Sequence, residues 1–337
     1  MKLVILILLI YNVVLINTIV LVKSRKNPST TLLNQWPMVA AHDAATSYLS
    51  SNVINKWAKT QPEGGIRKML ECGARFFDWR PKLLKNGELV MHHSAIVVNY
   101  PMSKVLDELI LWLSDNKAAP LENNLVVLGI TDCDGGDKCI DAVENELKLH
   151  NITFIKNCTL VHNMTVAAAT KLSPLPVISV NSCWDENYDP TIACSGFHYS
   201  KSSNITNEKS LSKSSLLHLQ SPDHIEYTCY NNSATKLFPL NRIYNYINKT
   251  LSQMAYRTNK TLFTVQAIWQ ETVGSVIVSG QHDSSLLLDE SKSQINHILA
   301  EKIMNKEFDV TNVNAVEINN VCDGGIELLN ALREKSS

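Results

Sequence analysis

The feature that most restricts this chain is a succession of short, almost wholly apolar runs, each stopping at polar residues and each followed by a stretch with helical spacing. Trp36-Pro37-Met38-Val39-Ala40-Ala41, Leu125-Val126-Val127-Leu128-Gly129-Ile130, Pro176-Val177-Ile178-Ser179-Val180, Leu262-Phe263-Thr264-Val265-Gln266-Ala267 and the run 313–318 are five or six residues long. Continuous apolar runs of that length read as strands covered on both faces, the situation of parallel strands between helices. Residues 66–71, 102–115, 140–150, 237–255, 291–305 and the stretch from 325 onward read as helices; in 102–115 the apolar Val105, Leu109 and Leu113 share one face. The alternation implies an α/β sheet with mainly parallel strands. About eight strands is the count of a (β/α)8 TIM-type barrel, here an irregular one and a single domain, and such barrels carry their sites at the C-terminal ends of the strands.

The two ends of the domain differ in texture. Residues 3–22 are nearly unbroken apolar sequence behind Lys2, so 1–24 reads as a signal peptide or signal anchor. Lys23, Arg25 and Lys26 follow the run, which argues against an anchor with the body outside and favours cleavage. Residues 25–35 read as a polar linker and 36–337 as the barrel domain, with a Ser/Asn-rich insertion at about 198–236. Acceptor sequences for N-glycosylation stand at Asn151, Asn157, Asn163, Asn204, Asn231, Asn248 and Asn259, and with eight cysteines they point to a secreted chain or an extracytoplasmic lumen, membrane anchoring being the alternative. Cys133 with Cys139 and Cys183 with Cys194 are the first disulfides to expect. The net charge of -1, without a basic tract, gives no support for nucleic acid as a partner. A monomer is expected.

Chemistry concentrates in residues 72–93. Ala74 to Arg80 alternates as a strand that presents Asp78 and Arg80 on one face and Phe77 and Trp79 on the other. After the Lys85-Asn86-Gly87 turn, a second short strand delivers His92 and His93. His42-Asp43 closes the first apolar run. If these residues converge, two imidazoles can divide a phosphodiester cleavage between them, one accepting a proton and one donating it, because an unperturbed imidazole titrates at about 6.5. Neighbouring carboxylates fix the tautomers, and Arg80 offers a planar, permanent charge to phosphate oxygens. No metal or other cofactor is needed for that scheme.

At these residues the chain resembles the X-domain barrel of the phosphatidylinositol-specific phospholipases C, particularly their metal-independent bacterial branch. The matching segments are Ala41-His42-Asp43-Ala44-Ala45-Thr46, then Cys72-Gly73-Ala74-Arg75-Phe76-Phe77-Asp78-Trp79-Arg80, then Val90-Met91-His92-His93. The resemblance implies a phosphoric diester hydrolase in which His42 is the general base and His93 the general acid. It also implies that Asp43 supports His93 or Arg80, that Asp78 belongs to the same network, and that Arg80 stands where calcium-dependent relatives hold a carboxylate ligand. The implied partner is a phospholipid or other phosphodiester at a membrane surface, attacked by its own inositol hydroxyl to give a cyclic phosphate.

Some positions depart from that pattern. The late-strand Asp that holds the base is expected at Ala267, with Gln266 or Glu317 as stand-ins; Thr131 and Ser182 occupy places of basic residues, and Ser94 replaces a Gly. His92, Thr131, Gln266, Trp269 and His282 are the candidate substrate contacts. Asp132-Cys133-Asp134-Gly135-Gly136-Asp137 has the look of a calcium loop but carries Val143 where a bidentate Glu belongs, and reads instead as a disulfide-closed loop. Two alternatives stay open: a catalytically impaired barrel that binds phospholipid head groups or a protein, and a glycerophosphodiesterase or sphingomyelinase D-like enzyme.

Overall fold

The computed structural model describes residues 24–50, 52, 55–181, 183–186, 241–254, 262–268 and 284–336. The expected leader and insertion, the acceptors Asn204, Asn231 and Asn259, and Ser182, Trp269 and His282 lie outside the described residues. Eight strands form one all-parallel sheet: β1 (Met38–Ala41), β2 (Ala74–Trp79), β6 (Val126–Ile130), β7 (Thr153–Ile155), β8 (Val177–Asn181), β9 (Trp184–Glu186), β10 (Leu262–Ala267) and β11 (Ala315–Ile318). Their order is β7-β8-β6-β2-β1-β11-β10-β9. The first and last strands in the chain are therefore neighbours, as a barrel requires. The irregularity is at β7, which precedes β8 in sequence but lies outside it.

Strand alternation sorts the side chains into two cores. Met38, Ala40, Phe76, Val127, Ile178, Val180, Leu262 and Ala315 meet in one cluster inside the curled sheet. Val39, Ala41, Phe77, Trp79, Leu128, Val265, Ala267, Val316 and Ile318 face outward into a larger cluster with the helices. The longer helices are α1 (Gly65–Glu71), α2 (Met102–Asp115), α3 (Asp137–Leu149), α4 (Asn241–Met254), α5 (Leu286–Ser293), α6 (Ile295–Met304) and α7 (Gly325–Lys335). None among the described residues is long and apolar enough to cross a membrane. The segment read as a polar linker is packed against the barrel. Leu33 is fully buried, its N–H donates to the Met164 carbonyl, and Lys26 Nζ reaches the carbonyls of Gln35 and Thr311.

Residues 72–93 are divided between two sheets. After β2 the chain enters a separate antiparallel sheet of β3 (Pro81–Leu83), β4 (Leu89–His93) and β5 (Ile96–Val98). The hairpin partner of β4 is thus β3, and β2 is free to pair with β1 and β6. A bulge in β2 skips Arg75, since Val39 aligns with Ala74 and Ala40 with Phe76. The guanidinium of Arg75 then donates to the carbonyls of Leu70, Ala74 and Asn123, while Phe76 takes the inward place.

Three disulfides tie the structure: Cys72–Cys322, Cys133–Cys139 and Cys158–Cys183. The expected Cys183–Cys194 pair is corrected, because Cys183 follows β8 directly and meets Cys158, just past the adjacent β7. Cys194 lies outside the described residues. Cys133–Cys139 closes the aspartate-rich loop, whose Asp134 is paired with Lys82.

Candidate active site

Four strand ends deliver polar side chains to one mouth of the barrel. His42 follows β1, Asp78 sits within β2 with Arg80 just beyond it, Thr131 follows β6, and Asn319 follows β11. The antiparallel sheet adds His93 from the end of β4. A left-handed residue comes directly after four of these groups: Asp43 (φ 42°), Ser94 (φ 50°), Asp132 (φ 41°) and Asn320 (φ 46°). Such conformations cost most residues roughly 1–3 kcal/mol and cluster at functional sites. They turn the chain sharply off each strand, so that the site residue is the last one in line.

Asp43 is the hub. Its Oδ1 lies 2.9 Å from Arg80 Nε, and its Oδ2 lies 3.2 Å from His93 Nε2 and 3.3 Å from His42 Nε2. Both imidazoles therefore address the same oxygen, and both reach the space in front of it. Arg80 spans two carboxylates, its Nη2 donating to Asp78 Oδ2 at 2.9 Å. The Asp43 N–H also donates to Asp78 Oδ2 (3.2 Å), and Thr131 Oγ1 donates to Asp78 Oδ1 (3.1 Å). Burial on its own would push the Asp43 carboxyl up. The Arg80 guanidinium, helped by His93, His42 and His92, outweighs it and holds the group down to about 2.

His42, Asp43 and Asp78 each offer a ligand atom within 4.8 Å of one another, a spacing that a cation could use. A divalent ion there would lie beside the guanidinium that already bridges the two carboxylates. Like charges at that range in a buried site repel strongly, and the donor set is better matched to Arg80 than to a metal.

The support of His42 is corrected. Ala267 lies on the outward face of β10, in register with Ile318, so no side chain at that position could reach the base. Gln266 does point inward, but it sits level with Glu317 and Ala40, one layer below the mouth, and donates to Glu317 (3.2 Å). The residue that meets His42 is Asn319, two positions beyond Glu317. Its Oδ1 is 2.9 Å from His42 Nδ1, and its Nδ2 donates to Glu290 Oε1 on α5 at 3.0 Å. Gln61 is a further brace, donating to the carbonyls of His42 and Ile318 and accepting from the Val321 N–H. Asn319, Glu290 and Gln61 carry no motif, and Glu290 stands just before the stretch 291–305 that reads as a helix.

Two candidate substrate contacts have structural duties here. The ring of His92 lies between the carbonyl oxygens of Asp132 (2.7 Å) and Ser94 (3.1 Å) and is almost fully buried. Thr131 is committed to Asp78 but stays partly exposed at the mouth.

No family model matches the sequence. Over 82 residues the chain is 31% identical to the 1-phosphatidylinositol phosphodiesterase of Staphylococcus aureus strain Newman, covering 24% of this chain and 26% of that protein. The chain thus matches about a quarter of the length of its curated relative. Solved structures agree over a much larger extent. The phosphatidylinositol-specific phospholipase C of S. aureus superposes with a TM-score of 0.55 at 15% identity, covering 91% of this chain and 95% of that one. The enzyme of the same name from Listeria monocytogenes superposes with a TM-score of 0.53 at 11% identity, covering 90% and 96%. These likenesses establish the fold.

Proposed function

We infer, from a chain that groups by fold and by an 82-residue similarity with the phosphatidylinositol-specific phospholipases C, that it is a phosphoric diester hydrolase acting on a phospholipid head group. The observation that carries this reading is the convergence of two imidazoles and one guanidinium on the Asp43 carboxylate. A phosphate needs a cation for its oxygens, a base for the attacking hydroxyl and an acid for the departing oxygen. Arg80, His42 and His93 fill those three roles.

In this scheme His42 Nε2 takes the proton from a hydroxyl of the substrate, and that oxygen attacks phosphorus. His93 then passes its Nε2 proton to the leaving diacylglycerol oxygen. Asp43 holds the His93 proton donor and the Arg80 head in one frame, and Asp78 fixes the other arm of the guanidinium. When the nucleophile is the inositol 2-hydroxyl, the attack is intramolecular and a cyclic inositol phosphate results, so orienting the ring supplies much of the acceleration. The substrate is met at a membrane surface on the non-cytoplasmic side, the protein being secreted or lumenal and monomeric.

The test is turnover of phosphatidylinositol, its glycosylated derivatives and simple glycerophosphodiesters by wild type, His42→Ala and His93→Ala. Wild-type turnover of at least one class is expected, with losses of about 100-fold or more in each variant. Wild-type rates no higher than those of the variants on every substrate would refute the reading.

A further inference from the structure

We propose that Glu290 acts through Asn319 to fix which nitrogen of His42 carries the proton, which makes it a positioning residue for the base. The inference deepens the hydrolase reading and rests on it for the role of His42. It follows from a count of donors along three buried groups, none more than 2% exposed. As a carboxylate, Glu290 offers only acceptors. Its Oε1 is 3.0 Å from Asn319 Nδ2, so the nitrogen of that amide must face α5 and Oδ1 must face the barrel axis. Oδ1 then lies 2.9 Å from His42 Nδ1, and an amide oxygen cannot donate. The proton of the neutral imidazole therefore sits on Nδ1. Nε2 lies 3.3 Å from Asp43 Oδ2 without a hydrogen bond to it, and is left with its lone pair at the site.

An asparagine amide is nearly symmetric in shape, and rotating it by half a turn exchanges donor and acceptor. Flipped, Asn319 would donate to His42 Nδ1 and select the tautomer with the proton on Nε2, which cannot accept one. The Asn319 main chain is fixed independently, its carbonyl accepting from Asn296 Nδ2 at 3.0 Å. What remains to be set is the amide rotation, and the Glu290 charge sets it. The same charge acts on a second neighbour: burial, and after it Glu290, pushes the Tyr244 hydroxyl well above the usual phenol range.

The experiment reads the tautomer directly, by nitrogen NMR of protein labelled with ¹⁵N-histidine, with His42 assigned through the signals lost in His42→Gln. Wild type should show a protonated Nδ1 and a bare Nε2 when the ring is neutral. Glu290→Gln keeps the volume but presents either a donor or an acceptor, so a mixture of His42 tautomers is expected, with kcat down about tenfold or more and KM changed much less. The exchange Glu290→Gln with Asn319→Asp places the carboxylate directly on His42 and an amide behind it, and should restore both the Nδ1 tautomer and most of the lost rate. An unchanged tautomer in folded Glu290→Gln, or a double variant no better than the single, would overturn the proposal. Because the NMR readout needs no substrate, a protein that turns over nothing but shows the tautomer change defeats the hydrolase reading and leaves the lock in place.

Discussion

Arg80 is the residue on which the electrostatics turn. One planar head, held by two different nitrogens, keeps two buried carboxylates apart and still carries its charge at the mouth. A lysine has a single compact ammonium and cannot span both. Arg80→Lys should therefore lower kcat by about 100-fold on any substrate the wild type cleaves, with the near-ultraviolet circular dichroism unchanged. Asp43 leads to a pH effect whose sign follows from its folded state. Its carboxyl is held down to about 2, below the ordinary value of about 3.9, so its contribution is complete above about pH 4 and disappears as the pH falls toward 2. In acid titrations of unfolding free energy, wild type should lose about 2 kcal/mol more across that window than Asp43→Asn. At this scale much was legible: His42, Asp43, Asp78, Arg80 and His93 all stand at or beside the ends of largely apolar strands, where a polar residue has few other reasons to stand. The Gly expected at position 94 is also explained, since φ there is 50°, a conformation that glycine adopts freely and Ser94 only at a cost. Asn319 was not legible, because its partner in the site is 277 residues away and an amide has no spacing to betray it.

At the scale of elements, the sequence located strands better than it located their faces. Residues 262–267 form a strand as the apolar run predicts. Thr264 and Gln266 alternate with Phe263, Val265 and Ala267, which separates two faces, but which face lines the barrel depends on how the strand is registered against β11. For the same reason the turn at Lys85-Asn86-Gly87 was legible while the division of 74–83 between two sheets was not. Another long-range link joins the end of α1 to the loop after β11, through Cys72–Cys322, a sequence separation of 250. It clamps the loop that follows Asn319 against the start of β2. Replacing both cysteines by serine should lower the unfolding free energy by about 2–5 kcal/mol in denaturant titrations, and activity should fall before the global transition as the Asn319 loop loosens.

For the whole molecule, the count of parallel strands led to the barrel class, and the solved relatives share that fold over nine-tenths of the chain. The course of the chain at β7 was not foreseeable, because three residues carry too little pattern to show that β8 would insert beside them. Acceptor sequences gather at this edge: Asn151 stands just before β7 and Asn157 just after it, and both are exposed. The Oδ1 of Asn157 accepts from the N–H and hydroxyl of Thr159, the third residue of its acceptor sequence. Expressed through a eukaryotic secretory pathway, the protein should migrate faster after enzymatic removal of N-glycans, and Asn157→Gln should abolish one step of that shift. No change with the glycosidase would count against passage through the lumen.

The adjacency of β1 and β11 has a consequence for how a cell makes the protein. The side chain that orients His42 follows β11 and is translated 277 residues later, and Cys72 waits 250 residues for Cys322. A chain stopped before β11 lacks the Asn319 amide that orients His42. On the proposed scheme, cleavage begins only when β11 has docked beside β1 and brought Asn319 to His42.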